Sequence, residues 1–213
     1  MFLPVAEAPK AVPPRARIGA LAVPVLSAFE RLGFFPGGRE WIAAAIHQLK
    51  ARRDQLSQPD NEAQSLARAL AGTMPLVYGA GNLGRAAGLR WKDQINQTAK
   101  SPSWTGVLPD VVHGEMAGWG QHGDITRQVL SLVLLRHDEE HPRQAERYRA
   151  LETMLEEVVG AVHQVEAEGD GALAQILDLV LYGDVVSLEL AGQEGLDPGP
   201  VPAVDDLARM LEA

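Results

Sequence analysis

Cysteine is absent from the 213-residue chain, so disulfide bonds and thiolate chemistry are both excluded. Long apolar runs are missing too: none approaches the roughly 20 residues that span a bilayer, and no membrane partner is expected. The N-terminus, "MFLPVAEAPKAVPPRAR", lacks a charged segment followed by a long apolar one, so a signal peptide is not expected. Without export or membrane signals the chain reads as cytoplasmic. Basic residues are in deficit: 19 Lys and Arg stand against 28 Asp and Glu, a formal net charge of −9. A broad nucleic-acid surface needs a basic face, so no nucleic-acid partner is expected. An anionic small molecule needs only a local cluster of cations and backbone N–H groups, whatever the overall sign.

What is present is ordinary for a globular protein: 46% hydrophobic and 22% charged residues. The length allows one large domain, or one domain with an appendage. "APKAVPPR" reads as an extended arm. From Ala16 to Leu32 apolar residues recur at helical spacing, and Pro24 is expected to kink or split that helix. Trp41, Ile42, Ala45, Ile46 and Leu49 mark a second helix, and Asn61 is placed to cap a third. The pattern then changes. "PLVYG" reads as a buried parallel strand, "NLGRAAGLRWKDQINQTA" as a helix and "SWTGVL" as a short strand, with Pro109 opening another helix. "VLSLVLLR" reads as a second buried strand, though a buried helix segment also fits. A charged helix, a strand ending at Gly169, an apolar helix containing Gly183 and a short tail helix follow. Strands alternating with helices predict an α/β domain with a parallel sheet. We expect an N-terminal arm and helices over residues 1–55, and the α/β domain over 56–213.

Gly79, Gly81 and Gly84 spell G-x-G-x-x-G, the fingerprint of a dinucleotide-binding turn. That reading needs a strand before, a helix after, and an acid about 20 positions on, closing the next strand. The acid is missing: twenty residues past Gly84 stands Trp104, and neither Asp93 nor Asp110 closes an apolar strand. No NAD is therefore expected. A tight strand-to-helix turn favours small residues on steric grounds alone, and the exposed N–H groups of the helix start can still face an anion.

The segment "MPLVYGAGNLGRAAGLRWKDQINQTAK" resembles the second sugar isomerase (SIS) domain of the bifunctional phosphoglucose/phosphomannose isomerases. In the same order, "PPRARIGALAVPVLSAFERLG" resembles the segment joining that family's two halves, and "LPDVVHGEMAGW" its histidine loop. "LLRHDEEHPR", "VHQVEAEGDGALAQILDLVLYGDVVSLELA" and "GLDPGPVPAVDDL" continue the likeness, which covers nearly the whole chain after about residue 11. The resemblance implies an SIS-type parallel sheet flanked by helices on both faces, with an N-terminal helical extension left from a first SIS domain. It implies interconversion of glucose 6-phosphate or mannose 6-phosphate with fructose 6-phosphate through an enediol(ate), without metal or cofactor, at a dimer interface. In such enzymes a glutamate is the base, a histidine assists ring opening, an arginine stabilises the intermediate, and a Ser/Thr-rich loop of the first SIS domain holds the phosphate.

Position by position the likeness is partial. The arginine corresponds to Arg15, whose alternative is a solvated residue in a Pro-rich arm; a guanidinium can fork onto an oxyanion. The histidine corresponds to His113, which can pass protons near neutral pH, with Glu115 two residues on; a structural or surface histidine is the alternative. None of the six histidines forms a convincing metal set. Where the family has N-E-N-A-K, this chain reads Asn96-Gln97-Thr98-Ala99-Lys100, so the base becomes Gln97. An amide does not titrate near neutrality and cannot act as the base. Asp93 is shorter and a turn away, and Glu115's counterpart is not the base. The family's D-P-T-P becomes Asp197-Pro198-Gly199-Pro200, and the last helix offers only Arg209 where a lysine is expected. No S-x-S-G-x-T-like loop occurs in the sequence, so the first-domain phosphate grip is not expected. Arg15, Gly81, Asn82, Lys100 and Glu115 are the substrate-binding candidates, while Arg90, Lys92 and Lys100 read as helix-surface charges as readily as ligands. Three readings follow: an isomerase-family protein of weak or lost activity, a non-catalytic sugar-phosphate-binding or regulatory module, and half of a split isomerase. A homodimer or a partner SIS subunit is expected.

Overall fold

The computed structural model describes residues 14–212, and most of the Pro-rich arm lies outside them. After a 3₁₀ turn at Pro14–Ala16 come α1 (Ile18–Arg31), α2 (Gly38–Leu56) and α3 (Glu62–Leu70). The α/β part follows as β1 (Met74–Ala80), α4 (Gly81–Thr98), β2 (Trp104–Leu108), α5 (Asp110–Gly114) and α6 (Gly123–Val129). It continues through β3 (Leu130–Arg136), α7 (Gln144–Leu155), β4 (Ala161–Glu166), α8 (Gly171–Gln193) and α9 (Pro202–Glu212). Asn61 caps α3 as its spacing predicts: its side-chain oxygen accepts from the Gln64 N–H at 3.0 Å.

The four strands are all parallel, in the order β2-β1-β3-β4. The chain steps from β1 to β2 on one side and returns to β3 on the other, which puts the topological switch between the carboxyl ends of β1 and β3. The two inner strands are apolar almost throughout because both faces are covered. On one face Val77, Val133 and Leu135 pack beneath α3, α4 and α8, against Trp91, Ile95 and Leu179. On the other, Leu76, Tyr78, Leu132 and Leu134 pack against Val111 of α5 and Tyr148 and Leu151 of α7. Each such fully buried aliphatic side chain stabilises the fold by about 1.5–3 kcal/mol.

The glycine fingerprint is a packing device. A Cβ on Gly84 would lie 2.6 Å from the Gly79 carbonyl carbon, and one on Gly79 would lie 2.7 Å from the Gly84 Cα. Strand and helix touch backbone to backbone there, which only hydrogen at both positions permits.

Three expectations are corrected. First, of the kink or split expected at Pro24 the split does not occur: α1 runs from Ile18 to Arg31 with Pro24 inside it. An internal proline costs about 3 kcal/mol, and α1 packs along α2, with Ala22 and Leu26 lining an apolar cleft shared with α2 and α8. Second, α6 stands between the helix opened at Pro109 and β3, where the sequence reading assigns no element of its own, because seven residues are too few to display an apolar period. Third, α8 is long and apolar enough to cross a membrane by length and composition, contrary to the expectation that no segment would approach this. Its place in the fold gives the reason: α2, α3 and α4 all pack against it, with Leu179, Val186 and Leu190 buried.

Helix α2 is keyed to this core by one cation. Arg52, only 4% exposed, pairs with Glu168 at 2.6 Å and with the fully buried Asp178 at 3.4 Å, and lies over the Tyr182 ring. Burial pushes the Asp178 carboxyl above its ordinary range, and the Glu168 N–H and the Arg52 charge act the other way.

Candidate functional site

The candidate residues fall into two groups at opposite ends of the sheet. Gln97 sits in the last turn of α4, half-buried, at the amino edge where β1 begins. Lys100 follows in the left-handed region (φ 55°), a conformation that a lysine rarely adopts. Its ammonium donates to the Gln97 carbonyl at 2.5 Å and to the Pro200 carbonyl at 2.7 Å. Arg15 donates to the carbonyls of Pro198 and, at 2.9 Å, Gly199. The Asp197–Pro200 strap, its turn closed by a Gly199 N–H donated to Asp197 at 2.8 Å, thus gathers Arg15, Gln97 and Lys100. Among the described residues neither Arg15 nor Lys100 is ion-paired. A cleft of about 300 Å³ opens beside them, lined by Thr73, Lys100, Ser101 and Glu194.

The other cations near Gln97 are committed elsewhere. Arg90 makes a two-pronged pair with Asp184 at 2.9 and 2.7 Å, and Gln94 donates to the same carboxylate at 3.1 Å. Lys92 pairs with Asp93 at 3.1 Å. Arg209 is tied to Asp206 within α9.

The second group occupies the carboxyl edge. Gly81 and Asn82 open α4 and are exposed. No side chain caps that helix start, so the first N–H groups carry the positive end of the dipole. His113 is exposed on the five-residue α5, which follows β2. Glu115, just past α5, accepts a hydrogen bond from the Tyr78 hydroxyl. Asp110 pairs with Arg85 of α4 at 3.5 Å, and the cleft of about 480 Å³ between these elements is lined by Arg85, Thr105, Asp110 and Glu115. From Gly81 to Gln97 is sixteen helical steps, or about 24 Å at 1.5 Å each. One chain therefore gathers Arg15, Gln97 and Lys100 at one end, and Gly81, Asn82, His113 and Glu115 at the other.

Sequence reasoning missed two residues at the carboxyl edge. His137, expected in a charged loop, is instead 8% exposed, immediately after β3 at the topological switch. Its Nε2 lies 3.0 Å from the Ala80 carbonyl, and its Nδ1 has no partner among the described residues. The signal was available: it is the first residue beyond an inner strand, where α/β sheets place ligand-facing groups. Tyr78 left no signal, since a tyrosine within an apolar strand reads as core.

Residues 59–211 match the bacterial phospho-glucose isomerase C-terminal SIS domain family. A bifunctional phosphoglucose/phosphomannose isomerase of Caldicellulosiruptor bescii is 30% identical over 207 residues, covering 95% of this chain and 61% of that protein. Its namesake in Aquifex aeolicus is 30% identical over 206 residues, covering 97% and 61%. The chain thus spans about three-fifths of the curated relatives it matches. Among solved structures, a glucose-6-phosphate isomerase like protein from Thermus thermophilus superposes with a TM-score of 0.70 at 22% identity, covering 94% of this chain and 66% of that one. A glucosamine-6-phosphate deaminase from Thermotoga maritima shares the fold more distantly, with a TM-score of 0.56 at 10% identity.

Proposed function

The chain belongs to the bacterial phospho-glucose isomerase C-terminal SIS domain family, and on that premise we propose that it is a cytoplasmic sugar-phosphate-binding member whose isomerase chemistry is weak or lost. The observation that carries the reading is Gln97. Its backbone carbonyl accepts from Lys100, which also holds the strap that Arg15 grips, and the family resemblance sets it at the position of the base, where it carries an amide. In the full reaction a histidine helps open the ring, a carboxylate moves a proton between C1 and C2, and a cation stabilises the enediolate. Here His113 serves the first step and Arg15 the last, while the middle step lacks its carboxylate. General-base catalysis contributes about 10²–10⁴-fold, and the loss at Gln97 is of that order.

The roughly 24 Å between the two groups favours a second element of this reading. A complete site draws Arg15 and Gln97 from one chain and His113 from another, as a homodimer or with a separate SIS subunit. The assay is conversion of glucose 6-phosphate and mannose 6-phosphate to fructose 6-phosphate by the purified chain. We expect binding of the sugar phosphates with turnover far below that of a working isomerase, and a gain of about 10²-fold or more in Gln97→Glu. Turnover at an ordinary enzyme rate by the wild-type chain would sink the impaired-enzyme reading. Neither binding nor turnover in either protein would remove the sugar-phosphate reading altogether.

A further inference from the structure

We propose that Tyr78 is a positioning residue, whose hydroxyl holds Glu115 and thereby fixes the short helix that presents His113. The inference rests on the reading of His113 as the ring-opening histidine. It goes beyond that reading in naming what holds the histidine in place and in assigning one oxygen of Glu115 to that task.

The argument starts with where Tyr78 is rooted. It lies on β1, one of the two strands paired on both sides, and is 1% exposed. Its ring is wedged against β2: a Cβ on Gly106 would stand 2.7 Å from the Tyr78 Cε1 and 2.4 Å from the Val111 Cγ1. Only glycine at 106 lets the tyrosine ring and the α5 valine both close over β2. From this site the hydroxyl donates to the Glu115 Oε2. A phenol carries a single proton, and here it goes to the carboxylate, which can only accept. Burial, then the hydrogen bond and charge of Glu115, hold that proton on the phenol far above its ordinary range.

The tether adds to the apolar contacts of Val111, Val112, Met116 and Trp119 and to the Asp110–Arg85 pair, and it is the one that acts on the Glu115 side chain directly. α5 spans five residues, Val111 is its single buried member, and the Glu115 N–H closes it onto the Val111 carbonyl at 2.9 Å. His113 and Glu115 are both exposed. Val111 over Gly106 pins the helix from beneath, and Tyr78–Glu115 pins its C-terminal end, two residues from His113. A displacement of 1 Å at a reacting group can cost about 10²-fold in rate, so a tether two residues from His113 bears on how that histidine is presented.

Tyr78→Phe keeps the ring and removes the hydroxyl. Amide hydrogen exchange of the intact chain reads the tether without any ligand. Amides of residues 111–119 are expected to exchange at least about tenfold faster in Tyr78→Phe, with β1 and β3 unchanged. Glu115→Gln, still an acceptor, is expected to stay close to wild type. Unchanged exchange in Tyr78→Phe overturns the proposal. The second arm adds Tyr78→Phe to Gln97→Glu, where kcat for glucose 6-phosphate is expected to fall about 10²-fold with KM little changed. A loosened loop with unchanged kcat overturns the positioning role. If Gln97→Glu alone neither turns over nor binds sugar phosphate, the catalytic reading of His113 fails and the positioning role with it, while the exchange result still reports on the tether.

Discussion

At the scale of single residues, Arg52 and His163 show how burial sets the value of a charge. Arg52 faces Glu168 and Asp178 with almost no solvent contact. Truncating one partner of such a pair leaves an uncompensated buried charge, which costs about 3–5 kcal/mol. Arg52→Ala is therefore expected to lower the denaturation free energy by that amount. Arg52→Met combined with Asp178→Asn, which removes the orphaned charge but keeps an acceptor for the Glu168 N–H, is expected to recover most of it in the same titration. His163 on β4 is half-buried, its Nε2 has no partner among the described residues, and burial holds its imidazole below the ordinary range. A depressed histidine favours the neutral form in the folded state, so its contribution is fully present above the unfolded value of about 6.5 and is lost as pH falls below it. Between pH 7 and 5, wild-type stability is expected to drop more than that of His163→Gln. Parallel thermal melts across that range check the sign.

At the scale of elements, the β1–α4 junction separates a cofactor motif from a packing motif. Gly84→Ala drives a methyl into the Gly79 backbone, where neither side can yield cheaply. Overpacking of this kind costs about 1–3 kcal/mol, and the backbone-to-backbone contact places it at the upper end. For a chain of this size that is a drop in Tm of very roughly 10 °C, with or without any dinucleotide added, which calorimetry resolves. Most elements were legible in the sequence for the same kind of reason. β1 and β3 are covered on both faces and read as unbroken apolar runs, and Asn61 announces α3 through its cap. α6 was hidden because seven residues show no period, and the continuity of α1 through Pro24 carries no signal in the sequence. Gln97 and His113 are site candidates only through family resemblance, since an amide on a helix and a lone histidine in a loop carry no pattern of their own. That they lie at opposite ends of α4 follows from the direction in which β1, α4 and β2 run, and appears only once the sheet is assembled.

At the scale of the whole molecule, two helices present apolar faces that nothing in the described chain covers. Leu21, Val25, Phe29 and Leu32 are exposed along α1, and Val204, Leu207 and Leu211 along α9, and neither helix has a buried residue. Faces of this kind mark association surfaces. Sedimentation is expected to show a species larger than one chain, and Leu21→Glu with Phe29→Glu to shift it toward the monomer. Shared sites can be tested on the Gln97→Glu background: Arg15→Ala and His113→Ala, each inactive alone, are expected to regain turnover when mixed and allowed to exchange chains. No recovery would mean that each site is built within one chain. The contact between Arg15 and the strap also has a temporal side. Its partners are 183 and 184 residues apart in sequence. At a synthesis rate of about 5–20 residues per second, Arg15 waits roughly 10–40 s on the ribosome before its carbonyls exist. Throughout that interval α1 is made but the strap that Arg15 grips is not, so the apolar face of α1 is open to aggregation or premature pairing during synthesis.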